Sequence, residues 1–336
     1  MTRGDLAGRA TGLGPLPGAD PREACAMVFG EFGSGHLPHL PQLPQRGAGA
    51  DAVGRGACLL EGLAVDLQPS GWRFVDRPGR DVERARSFLR ADLDELAEAA
   101  DGYSGPLKVQ VAGPWLLAAS IELTRGERSV ADPGARRDVV ASLAEGVAAH
   151  VRDLRRLVPG ARPVVQVDEP VLPAVLAGRL PTASGYGRLR AVERQEVEQG
   201  LRAVLAAARG AGAFTAVRVA GEEVPWALLR GAGTGAVAVD VAGLGASGWE
   251  SVAATVEGGV QLWAGVLPPQ GEVPAVGALV DAVRVPWRRV GLPAAELAQV
   301  VPTPAVGLVD VAPAAVQGRL RRLREVASAL QEAAAG

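Results

Sequence analysis

The residues with chemistry to offer sit at the ends of apolar runs. The clearest run is Pro163-Val164-Val165-Gln166-Val167-Asp168-Glu169-Pro170. Its valines suit a strand covered on both faces. Pro170 cannot continue a ladder, so the strand stops on an acidic corner. Asp168 and Glu169 are the candidate catalytic carboxylates. Gln166, Asp168, Arg218 and Asp240 are the candidate substrate-binding set, because Arg218 lies near the end of a second run and Asp240 ends a third. Lys108 and Gln110 lie within a fourth. An arginine among carboxylates can hold an anionic or zwitterionic ligand through bidentate contacts. The same residues read equally as a structural ion-pair network. Without a ligand, Arg218 is expected to pair with Asp240 or Asp168. His36 and His39 fall in a proline-rich loop and read as solvated, and His150 reads as lying on an external helix. No Ser-His-Asp or Cys-His arrangement stands out from spacing.

These residues need strands to hold them at one rim. Residues 1–9 are polar and read as loose. Residues 10–18 are a strand-to-loop segment rich in breakers. Asp20-Pro21 starts a helix to about residue 30. Three prolines, Pro38, Pro41 and Pro44, make 36–46 an extended loop. Residues 51–65 read as a helix, 71–75 as a short strand and 80–100 as an amphipathic helix. Strands at 107–112, 163–168, 213–219, 235–241, 260–266 and 299–302 then alternate with helices, the last over 313–334. Counted from residue 10 with 71–75 included, this gives about eight strands, the arithmetic of a (β/α)8 TIM barrel with an N-terminal loop and helical insertions, in one domain over 10–336. An open doubly wound sheet is disfavoured, since Thr11–Gly18 holds too many prolines for a glycine-rich phosphate loop.

A chain of 336 residues, 48% hydrophobic, can bury a core of that size. Its net charge of -2 argues against a dedicated nucleic-acid binder. Cys25 and Cys58 are too few for a disulfide framework. Lys108 is the only lysine, a bias that reads as genome composition. With no signal pattern and no membrane-length apolar run, the chain reads as a cytoplasmic protein without a membrane partner.

Several motifs in order carry a resemblance. They are Thr11-Gly12-Leu13-Gly14 with Pro17-Gly18, Leu37-Pro38-His39-Leu40-Pro41, Gln166-Val167-Asp168-Glu169-Pro170, Pro225-Trp226, and Pro302-Thr303-Pro304 with Gly307-Leu308. Together, over nearly the whole chain from residue 10, they resemble the cobalamin-independent methionine synthase family, in its short form similar to the C-terminal catalytic half. The resemblance implies a TIM barrel of the kind shared with uroporphyrinogen decarboxylase. It implies methyl transfer from a folate or other donor to a homocysteine thiol, activated as thiolate on zinc. It also implies that Asp168 contacts the amino acid's amino group, and a divergent member would let Arg218 take a carboxylate or phosphate with Glu169 and Asp240 orienting the two. The chain departs from the family where zinc is held: a His-x-Cys pair falls on Arg218 and Ala220, and a late cysteine on Val306. Only the acidic ligand is kept, as Asp240, and a substrate-holding serine is replaced by Pro15. The family zinc is therefore expected to be absent, with no other cofactor. The expected partner is an amino-acid-like or folate-like small molecule. Alternatives are a non-catalytic barrel serving a protein partner, and a decarboxylase-like enzyme needing more arginines at the mouth.

Overall fold

The computed structural model describes residues 1–336. After a 3₁₀ turn at Arg3–Leu6, Asp20 accepts from the Arg22 and Glu23 amides and starts α1 (Pro21–Phe32). Next come α2 (Ala52–Ala57), a hairpin of β1 (Ala64–Gln68) and β2 (Gly71–Val75), and α3 (Arg80–Ala99). The regular part is β3 (Gly105–Ala112), α4 (Pro114–Ser120), α5 (Pro133–Leu157), β4 (Ala161–Glu169), α6 (Leu172–Leu176), α7 (Arg194–Gly210) and β5 (Phe214–Val219). It continues through α8 (Trp226–Ala232), β6 (Ala236–Asp240), α9 (Ala246–Glu257), β7 (Gln261–Leu267), α10 (Val276–Arg289), β8 (Val301–Pro304) and α11 (Pro313–Ala335).

Strands β3 to β8 form one curled parallel sheet in sequence order. Six regular strands stand where eight were expected. The 71–75 strand is real but pairs antiparallel with β1, Ala64 opposite Val75, outside the parallel sheet. The 51–65 helix is shorter than expected, because α2 ends at Ala57 and the chain turns extended at Ala64. Residues 10–14 form no regular strand. They do bond to the sheet edge: Thr11 N donates to Pro302 O at 3.3 Å, and Leu37 N to Ala10 O at 3.0 Å. On the other side Leu40 N donates to Lys108 O and Lys108 N to Pro38 O, both at 2.9 Å. Two irregular segments thus run between β8 and β3. Pro38 and Pro41 carry no N–H, so a regular ladder cannot extend there. The 36–46 stretch is more than a loop, since His39 bridges Lys108 in parallel register.

Residues 1–9 are more ordered than their polarity suggested. Leu6 is fully buried in a cluster with Leu37, Val164, Ala216, Trp263 and Val301. Asp5 pairs with Arg162 at 2.6 Å and Gly8 N donates to Ala298 O at 3.1 Å. That cluster fills the inside of the curl. Side chains alternate along a strand, so Gln166 and Asp168 share the inner face with Val164, while Val165 and Val167 pack in the outer layer with the helices. No helix is long and apolar enough to cross a membrane.

Gly12 shows how tightly this wall is built. A Cβ there would overlap Cε1 of His39 and approach its Nε2 to 2.8 Å. His39 is fully buried and has nowhere to go. Gly12→Ala is therefore expected to destabilise the protein by about 1–3 kcal/mol, measured as a lower urea midpoint at unchanged slope. An unchanged midpoint would mean the ring moves freely.

Candidate functional site

The inner face of β3 and β4 carries a chain of polar groups with one layer per two residues. Lys108 lies level with Val164, Gln110 with Gln166, and Ala112 with Asp168. The Lys108 ammonium is fully buried and donates to Gln166 Oε1 at 2.7 Å. With its amide turned to satisfy both ends, Gln110 accepts from Lys108 Nζ at 2.8 Å and donates to Leu40 O at 2.9 Å. Gln166 Nε2 donates to Asp168 Oδ1 at 2.8 Å and to Leu13 O at 3.0 Å. The Trp263 ring centroid lies 5.9 Å from Lys108 Nζ. Burial pushes Lys108 down to about 7, with Asp168 pulling it up and Arg218 pushing it further down. Burial also raises Asp168 above its ordinary range, opposed by Arg218, the Gln166 bond and Lys108.

At the carboxyl ends of the strands, Asp168 lies opposite Arg218 in register, and Arg218 opposite Ala238, two residues before Asp240. The structure thus places Gln166, Asp168, Arg218 and Asp240 at the same end of the sheet. Arg218 is half-buried and makes no ion pair with Asp168 or Asp240, unlike the sequence expectation. Its field reaches Asp168 without contact. Asp240 instead closes its own turn, accepting from Ala242 N at 2.9 Å. Asp168 is 9% exposed. The segment from Leu13 to Leu16 runs beside Gln166, whose Nε2 donates to Leu13 O, and is fastened by Leu16 N to Gln42 O and by Leu308 N to Pro15 O, each at 2.9 Å.

Glu169 points the other way. As the next residue on the strand it faces α4, where its two oxygens accept from Trp115 N and Leu116 N, each at 2.9 Å. It is fully buried, and burial pushes it up to about 8. The structure separates it from the Asp168 rim and gives it the place of a helix cap.

His39 was read as solvated and is instead fully buried, with both ring nitrogens unpartnered. Burial, then the nearby Lys108, hold it well below 6.5, so the ring is neutral. His150 lies buried on the inward face of α5, whose other face is exposed. Sequence reasoning places Lys108 among the polar candidates but leaves it out of the binding set. The available signal was its uniqueness, which composition explained away.

The residues at the positions where the resemblance would place zinc do not fit that ion. Zinc takes four N, S or O ligands in a tetrahedron. Arg218 offers a fixed positive charge, and Ala220 and Val306 offer no donor. Cys25 and Cys58 lie buried in the outer core, where burial pushes their thiols up to about 12 and 11.

No protein-family model and no curated protein matches the chain. Among solved structures it is similar to the B12-independent methionine synthase from Shewanella sp. in complex with selenomethionine. That alignment has TM-score 0.61 and 12% identity over 97% of this chain and 98% of that one. An oxaloacetate acetylhydrolase with bound oxalate aligns at TM-score 0.41 and 15% identity over 96% of this chain and 85% of that one. At such identities the first likeness shows a shared TIM-barrel-like fold.

Proposed function

We propose that the chain is a methionine-synthase-like barrel that binds an amino-acid-like ligand without zinc. The six regular strands and the two bonded segments at 10–12 and 37–40 would act as eight staves of one ring. The ligand's ammonium meets Asp168 and its carboxylate meets Arg218. The observation that carries this reading is the pairing in register of a carboxylate and a guanidinium that do not bond each other. Both face the rim with charge to spare, and an α-amino acid supplies both complements. Methyl transfer to a thiol is the reaction the family resemblance implies. A thiolate at this rim would have Arg218 as its cationic neighbour in place of zinc.

The test is calorimetric titration with amino acids, L-homocysteine and L-methionine among them, and with folates, on the parent, Asp168→Asn and Arg218→Gln. A charge-assisted hydrogen bond contributes about 1.5–3 kcal/mol, so each variant is expected to lose roughly ten- to a hundred-fold in affinity. Asn keeps an oxygen for Gln166 Nε2, so the fold should survive. Binding of no amino acid by the parent, or equal binding by both variants, would remove the ligand site. A second reading, a partner barrel without chemistry, is favoured by the burial of Asp168 and by the filled interior beside Val164. The larger clefts, of about 660 and 440 Å³, lie among the outer helices, near Trp226 and between α5 and α7.

A further inference from the structure

Lys108 is the one lysine among 35 basic side chains, and it is the one placed wholly inside the sheet's curl. A bias that turns every other basic position into arginine has left this one alone. The site itself gives a physical reason. An ammonium is compact and meets two amide oxygens at 2.7 and 2.8 Å in the space between Gln110 and Gln166. A guanidinium is longer, flat and always charged, and would fit neither the space nor a role that needs a proton to leave.

Lys108 also decides which way Gln166 points. The two ends of an amide have similar shape and opposite hydrogen-bonding roles. Gln166 turns its oxygen to Lys108 and its nitrogen to Asp168 Oδ1 and Leu13 O. Reversed, it would set its NH2 group against the ammonium and its oxygen against two acceptors. Lys108 and Asp168 therefore hold the amide from opposite ends. The result ties down Asp168 Oδ1 and leaves Oδ2 for the rim.

We propose that Lys108 is a positioning residue for an ammonium-bearing ligand. It acts through Gln166 to hold Asp168 in place, and it releases its proton to solvent when the ligand's ammonium arrives. One cation then replaces another beside a single carboxylate. The neutral amine keeps two N–H groups, one for each glutamine oxygen. The other groups near Lys108 are Arg218 on β5, which opposes its charge, and His39 on the bridging segment, which stays neutral. Glu169 lies on the opposite face of β4 and takes no part. The inference rests on the amino-acid reading above for its ligand, and its test separates the two.

Isotope labelling at lysine gives a single side-chain resonance, because there is a single lysine. In the ligand-free parent it should titrate near neutral pH, and in Asp168→Asn its midpoint should fall by about one unit or more, since a supporting negative charge is gone. With L-methionine, calorimetry at pH 6 in buffers of different ionisation enthalpy should show release of close to one proton. Below the lysine midpoint, affinity should rise roughly tenfold per pH unit. Lys108→Met should bind about tenfold more weakly than the parent near pH 8, without proton release and with a flat pH profile. Gln166→Ala should be weakened similarly, and the double variant should be no weaker than Gln166→Ala. A lysine that only fills space would give additive losses and an unchanged pH profile, and that outcome overturns the proposal. If L-methionine binds the parent without releasing a proton, the proposal falls and the ligand reading stands. If no amino acid binds, the ligand reading falls, and the link between Lys108 and Asp168 is judged on the lysine resonance. An unmoved midpoint in Asp168→Asn overturns that link.

Discussion

Glu169→Ala is expected to destabilise the protein by roughly 2–6 kcal/mol, from about 1–3 kcal/mol for each buried N–H left without a partner. The helix α4 has no capping side chain of its own, since Gly113 stands at its N-cap and Pro114 at its first turn. Both carboxylate oxygens of Glu169 supply what that helix lacks, from the neighbouring strand. Glu169→Gln keeps one acceptor but turns an NH2 group toward the second amide, so it should lose about half as much. A pH signature accompanies this. Burial raises Glu169 from 4.5 to about 8 in the fold. The folded state thus holds a proton that the unfolded state has released over that window. This contribution is fully present below about 4.5 and is lost as pH rises through about 8. Urea unfolding between pH 4 and 9 should show the decline in the parent and its loss in Glu169→Gln. An alanine variant that unfolds like the parent would return Glu169 to the catalytic pair expected from sequence.

Two adjacent carboxylates therefore do different work, and strand alternation alone could have separated them. Reading the strand as ending at residue 168 hid this, because Glu169 was then placed in a free turn. The strand continues to Glu169, and the period of two sends Asp168 inward and Glu169 to the helix layer. The six parallel strands were legible for the opposite reason. Their β-branched runs leave few alternatives, as in Val164, Val165 and Val167. The two segments that flank the sheet were hard to read, because Gly12, Gly14, Pro38 and Pro41 erase both apolar alternation and ladder donors. Their place is fixed only by partners far along the chain, such as Pro302 for Thr11 and Lys108 for Leu40. The helix expected over 51–65 overlaps the first two residues of β1, and the rest of that strand has no expectation, although Val65 and Leu67 alternate ahead of the Pro69-Ser70-Gly71 turn. At the rim, the positions of Asp168, Arg218 and Asp240 followed from strand ends, whereas the lack of an ion pair at Arg218 depends on side-chain reach, which residue types do not encode.

Asp92→Ala should give a loss of similar size at a place where sequence showed nothing. Asp92 is 1% exposed on α3, and its Oδ2 accepts from Arg46 Nη2 at 2.7 Å and from Arg55 Nη1. Arg46 belongs to the loop that follows the 37–42 segment, and Arg55 to α2. One carboxylate therefore ties three pieces of chain together. Both guanidinium groups are nearly buried. Removing the carboxylate strands two cations in a poorly solvated space, and breaking a buried pair in this way costs about 3–5 kcal/mol. A variant replacing Asp92, Arg46 and Arg55 together by apolar residues removes the stranded charges and should recover most of that loss. The consequence should reach the rim. The loop holding Arg46 anchors the segment whose Leu40 carbonyl accepts from Gln110, and Gln110 in turn supports Lys108. Hydrogen exchange at the Leu40 and Lys108 amides, which join that segment to β3, should quicken in Asp92→Ala more than at β6 amides. Equal acceleration everywhere would mean that the loss is global unfolding alone. An alanine variant no less stable than the triple replacement would show that the two arginines find other partners, and the tie between α3 and the rim would then rest on apolar packing.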